Sequence, residues 1–250
     1  MNDNIHQIVN DSIVGIVANL DCFFQHGELA FLSYENKIET ILKNKIAWEL
    51  QKQLDFLSTK KTLSEFYLVK MEWSPEEKRK CDMAVLRQDK TNNNDYSEVI
   101  ALFELKFTSL QKAEKLYKRE FVKDICKMVG FCKEDLHGSK NQIDIYYLFF
   151  QQLHLQTIKE YRNAFTYIKL IDSCFGKAKW QELGKQNEVE KIEDYWKNKV
   201  FSNVSIKGSN GSSWKRVEID LGNYFNHSSF LETAIWGPVK ADEIVIESSK

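Results

Sequence analysis

Apolar positions recur at two spacings along the chain, and the switches between them mark out its elements. Residues 7–32 carry Ile8, Val9, Ile13, Ile16, Val17, Leu20 and Phe24 at helical intervals, which predicts one helix with a break near Gly27. The same spacing returns at Ile38, Leu42, Ile46 and Leu50. Ser33 is placed to cap this second helix, which puts Glu35 in its first turn, at the positive end of the dipole. The period then shortens. Residues 66–73 alternate as a strand, and Met83-Ala84-Val85-Leu86 and Val99-Ile100-Ala101-Leu102-Phe103 read as neighbouring strands joined by the Asn- and Asp-rich turn 89–96. Leu110, Ala113, Tyr117, Phe121, Ile125 and Met128 restore the helical period up to Gly130, where that helix is expected to end. The continuous β-branched and aromatic run 143–150 predicts a strand buried on both faces. Helices are expected near 155–171, with His154 opening it, and near 188–199. From Phe201 the pattern is β: 204–206, an Asn210-Gly211 turn, 214–221, and a last strand 243–247. Asn-Gly between two such runs predicts a hairpin.

Charge interrupts this pattern where a core strand should have none. Asp82 opens the second strand, and Glu104 and Lys106 lie at the end of the third with Leu105 between them. Successive side chains of an extended chain alternate in face, so Glu104 and Lys106 share one face while Phe103 and Leu105 take the other. Unpaired charges buried there would cost several kcal/mol or more, so they are expected to be paired or to hold a metal. Glu-x-Lys occurs three times, at 35–37, 76–78 and 104–106, and only the last directly follows five apolar residues. Asp82, Glu104 and Lys106 brought together at a sheet edge suit a hard divalent cation with oxygen ligands and a positioned water. The bland alternative is a cross-strand ion pair ending an ordinary sheet.

A Glu-bearing helix, a strand, the Asp82 strand, the Glu104-Leu105-Lys106 strand and a following helix resemble the core of the PD-(D/E)xK nuclease superfamily over about residues 30–150. The Pro that often precedes the Asp is Cys81 here. The resemblance implies an α/β (α+β) restriction-endonuclease-like αβββαβ core, a mixed central sheet flanked by helices. Residues 151–250 would then be a C-terminal extension of helices and a β-hairpin on one domain of 250 residues. It also implies a metal-dependent DNA endonuclease of restriction or defence type. Asp82, Glu104 and the Leu105 carbonyl would hold Mg²⁺, with Mn²⁺ as substitute, and Lys106 would position or help deprotonate the attacking water. Glu39 or Glu35, four residues apart on one helix face, would hold the water shell. A non-catalytic nucleic-acid-binding or interaction subunit on the same fold is the alternative.

Composition narrows partners without naming one. Thirty-five basic against 36 acidic residues give a net charge of −1, so any basic surface for DNA must be local. Its candidates are Lys78, Arg79 and Lys80, the helix residues Lys112, Lys115 and Arg119, and Lys215 and Arg216 with Trp214, Tyr224, Asn226 and His227 near the C-terminus. Each group serves equally well as solvated charge or edge packing. Cutting both strands of a duplex would call for a homodimer. Hydrophobic content of 43% with only 10 Gly and 2 Pro leaves a packed core and little linker. No apolar run spans a membrane. Five scattered Cys without a Cys-x-x-Cys suggest neither zinc nor a disulfide framework, and a reducing cytoplasm is expected.

Overall fold

The computed structural model describes residues 5–25, 28–34, 38–60, 63, 65–75, 80–88, 96–109, 122–133, 143–155, 204–206, 215–224 and 227–246. Helices α1 (Ile5–Ala18), α2 (Glu28–Tyr34) and α3 (Ile38–Thr59) precede strands β1 (Tyr67–Trp73), β2 (Cys81–Gln88) and β3 (Tyr96–Ser109). Helix α4 (Val122–Lys133) and β4 (Asp144–Leu155) follow, then β5 (Val204–Ile206), β6 (Lys215–Tyr224), β7 (His227–Lys240) and β8 (Ile244–Ile246). The run from α3 to β4 is the expected αβββαβ order.

Six strands form one mixed sheet in the order β1-β2-β3-β4-β7-β6. β3 and β4 are parallel, with Phe103 level with Tyr146, and their rings stack at 4.7 Å. Parallel neighbours need a crossover, and α4 lies within it. The other pairings in this sheet are antiparallel. One apolar core unites α1 and α3 with Met83, Val85, Ala101, Phe103, Leu105 and Leu148. In α3 the fully buried Ile38, Leu42, Ile46, Leu50 and Leu54 recur every fourth residue, as the spacing predicts. Burying each such side chain contributes roughly 1.5–3 kcal/mol. Glu104 and Lys106 take the other face, where α4 meets them.

Several expectations need correction. Residues 7–32 are not one helix broken at Gly27: α1 stops at Ala18, and Asn19 turns its side-chain amide back to the Gly15 carbonyl at 2.8 Å. A short 3₁₀ turn, Leu20–Phe23, then leads to extended Phe24. Ser33 lies inside α2 rather than ahead of a helix, and the first turn of α3 carries Glu39 rather than Glu35. Helix α4 runs past Gly130 to Lys133, since a lone glycine does not end a helix whose neighbours Met128, Val129 and Phe131 are buried. β4 continues to Leu155, so His154 is a strand residue opposite Ser229 and opens no helix. The strands on either side of Asn210-Gly211, itself outside the described residues, do not pair with each other: β5 pairs with the late strand β8, and β6 pairs with β7. β7 was not foreseen. It lies between β4 and β6, so β6 and β7 extend the same sheet as the core, while β5 and β8 form a separate two-stranded sheet. The helices expected at 155–171 and 188–199 lie outside the described residues, apart from Leu155, which is strand.

No described helix is long and apolar enough to cross a membrane. The four described cysteines, Cys22, Cys81, Cys126 and Cys132, are free thiols.

Candidate active site

Met83 pairs with Phe103 in the antiparallel β2–β3 ladder, which sets Asp82 beside Glu104 at the start of β2. Asp82 reaches further along β3: its Oδ2 accepts the Leu105 backbone N–H at 2.8 Å. Its other oxygen, Oδ1, accepts from Lys43 of α3 at 2.5 Å. Lys43 lies four residues after Glu39 on the same helix, so both reach this end of the sheet together. Glu39 takes the Phe107 backbone N–H and feels the charges of Lys106, Asp82 and Lys43. Burial lifts its pKa above the usual carboxylate range.

Glu104 is the most enclosed member, with 2% of its surface exposed. Burial, and then the like charges of Asp82 and Asp124, push its pKa up to about 8, against the opposing pull of Lys127. The Lys127 ammonium contacts Glu104 Oε1 and lies 3.5 Å from Asp124 Oδ1. Lys106 stands 3.6 Å from Asp124 Oδ2. Burial works against the charge of Lys106, but Asp124, Glu104, Asp82 and Glu39 outweigh it and hold its pKa above the normal lysine value. Lys43 and Lys127 are raised by the same contest between burial and neighbouring carboxylates. At neutral pH all three lysines are ammoniums.

The site therefore gathers Glu39, Asp82, Glu104 and Asp124 around Lys43, Lys106 and Lys127. Four carboxylates against three ammoniums leave one formal negative charge when all are ionised. Among the described residues no three His, Cys, Asp or Glu side chains are grouped so as to hold a metal ion. Any cation here would rely on Asp82 and Glu104 with main-chain and water oxygens. The expected trio of Asp82, Glu104 and Lys106 thus comes to one place, and Glu39 joins it.

The other expected residues fare differently. Glu35, Lys78, Arg79, Lys112, Lys115 and Arg119 lie outside the described residues, whereas Lys80 is exposed beside β2. Lys215 and Arg216 open β6, opposite Ile235 and Ala234 of β7. Lys127 of α4 turns to Glu104. Asp124, on the same helix, is buried. Lys43 was not anticipated, although its spacing of four from Glu39 was a signal that it shares that residue's face. The chain finds no match among protein-family models, curated proteins or solved structures.

Proposed function

We propose that this chain is a metal-dependent deoxyribonuclease of the PD-(D/E)xK superfamily, with a restriction-endonuclease-like core formed by α3, β1, β2, β3, α4 and β4. One observation carries the reading. Asp82 and Glu104 face each other where β2 begins, Asp82 is tied to the Leu105 N–H, and Lys106 shares the Glu104 face.

The donor set fits a hard dication. Mg²⁺ takes one or two carboxylates and keeps several waters, so Asp82, Glu104 and the Leu105 carbonyl suffice. Glu104, pushed to about 8 by burial and like charges, is a carboxylate that a cation would relieve. Bound there, Mg²⁺ or Mn²⁺ would neutralise phosphate charge and acidify a water. Lys106 is favoured in its ammonium form by the carboxylates around it. Its role in this reading is to orient the nucleophile and to stabilise the charge that develops on the phosphate in the transition state. Glu39, anchored by the Phe107 N–H, would hold the water shell in this reading. A restriction or defence role, and pairing of two copies on duplex DNA, belong to the same reading.

The test is incubation with plasmid, single-stranded DNA and RNA, with Mg²⁺, Mn²⁺ or chelator. DNA should be cut only with metal, and Asp82→Asn or Glu104→Gln should abolish cutting. Lys106→Ala should bind metal yet cut at least about a hundredfold more slowly, as expected for one lost electrostatic stabiliser. Unimpaired cutting by Lys106→Ala with Mg²⁺ present would refute the assignment.

A second reading has its own observation. Lys43 and Lys127 already answer Asp82 and Glu104, which suits a closed salt-bridge network in a non-catalytic binding or interaction subunit. Calorimetric titration separates the two: a network gives no Mn²⁺ heat, and a nuclease gives heat that Glu104→Gln removes.

A further inference from the structure

Each carboxylate assigned to the metal is covered by a lysine shared with a second, more exposed carboxylate. Lys43 lies 2.5 Å from Asp82 and 3.1 Å from Glu72, whose side chains are 16% and 57% exposed. Lys127 contacts Glu104 and stands 3.5 Å from Asp124, with exposures of 2% and 11%. The two lysines come from different helices, α3 and α4, so the repetition does not follow from one local motif. Glu72 is held at φ 50, a left-handed angle that glutamate rarely adopts, and such strain tends to persist where function requires it. A lysine ammonium is a compact monovalent charge on a flexible four-carbon stem. It can pass between two neighbouring oxygens without any backbone movement.

We propose that Lys43 and Lys127 are built-in competitors of the divalent cation, covering Asp82 and Glu104 and withdrawing to Glu72 and Asp124 when the ion binds. This rests on the nuclease reading of Asp82 and Glu104. The outer carboxylates are then positioning residues: they receive the displaced ammoniums and keep them close enough to face a phosphate. Asp124 also stands 3.6 Å from Lys106, so a closer approach of Lys127 would weaken its hold on that residue.

Calorimetric titration of the full chain with Mn²⁺ tests this without any reading of activity. Glu104→Gln defines the heat that belongs to the site. Lys127→Met and Lys43→Met should each bind Mn²⁺ roughly tenfold more tightly, since each loses a charged competitor for a ligand. Lys127→Gln keeps a donor for buried Glu104, guards the fold, and should shift affinity in the same direction by less. Lys45→Met, which removes a charge elsewhere on α3, should leave affinity unchanged. If the parent shows Glu104-dependent heat and the Lys43 and Lys127 variants bind no more tightly, the competitor role is overturned and the nuclease reading stands. Heat in Lys127→Met but not in the parent supports the competitor role in its strongest form. Absence of Glu104-dependent heat from every variant overturns both.

Discussion

Glu104 shows how a single residue can set the pH behaviour of the fold. An ordinary glutamate releases its proton near 4.5, whereas burial and the neighbouring Asp82 and Asp124 hold Glu104 to about 8. Between those values the folded chain binds more protons than the unfolded one, so this group makes stability fall as pH rises through the window. Glu104→Gln cannot titrate. Its melting temperature should therefore drop less than the parent's between pH 5 and pH 8 in matched thermal melts. Equal slopes would show that Lys127 keeps Glu104 ionised throughout. Lys106 carries the opposite lesson. Its side chain is only 23% exposed, yet four carboxylates favour its charged form, which suits electrostatic work.

At the scale of elements, the open edge of β1 is answered by a side chain. Gln51 of α3 donates to the Tyr67 carbonyl at 3.0 Å and accepts the Val69 N–H at 2.6 Å. Residues two apart turn their main-chain groups to the same side of a strand. In the sheet β1 pairs with β2 alone, so the Gln51 amide stands where a neighbouring strand's peptide would. Gln51→Ala should cost about 1–2 kcal/mol in denaturant unfolding, for two lost bonds. It should also raise concentration-dependent association in light scattering, because bare edges recruit strands. Elements of this kind were legible from spacing wherever one face is buried. The α3 stripe, the β2 and β3 runs and the Glu104/Lys106 alternation all follow from side-chain period. The break after α1 was misplaced because Asn19 closes the helix through its own side chain, a contact that apolar period does not record. The hairpin at Asn210-Gly211 was misread for another reason. Turn chemistry states that a chain can reverse, and pairing is decided by which strands have an open edge.

Across the whole molecule, β6 is bound into the sheet through β7, and one glycine sits where β7 meets β4. Gly237 sits at φ +115, and a Cβ there would lie 2.5 Å from the Ile145 carbonyl oxygen. The β4–β7 register shifts at this point, between Ile145 and Tyr147. Gly237→Ala should destabilise by about 2–4 kcal/mol, from backbone strain and overpacking together. Thermal melts would measure it, and an unchanged melting temperature would mean that β7 does not depend on this approach. A second tie crosses the fold from its first described helix. His6 of α1 meets buried Asp144 at 2.8 Å, and Lys240 at the end of β7 meets it at 2.7 Å. The start of β4 thereby holds residues from both ends of the described chain.

By itself the amino-acid sequence determined the order α3, β1, β2, β3, α4, β4 and the face that Glu104 and Lys106 share, because side-chain period is a local property of the backbone. Only the tertiary structure decided which charges meet. Lys43 and Lys127 reach Asp82 and Glu104 across 39 and 23 residues of chain, and β7 enters the sheet beside β4 from a distant segment. Those pairings depend on how separate elements dock. Periodicity names the buried side of an element and is silent about its neighbour.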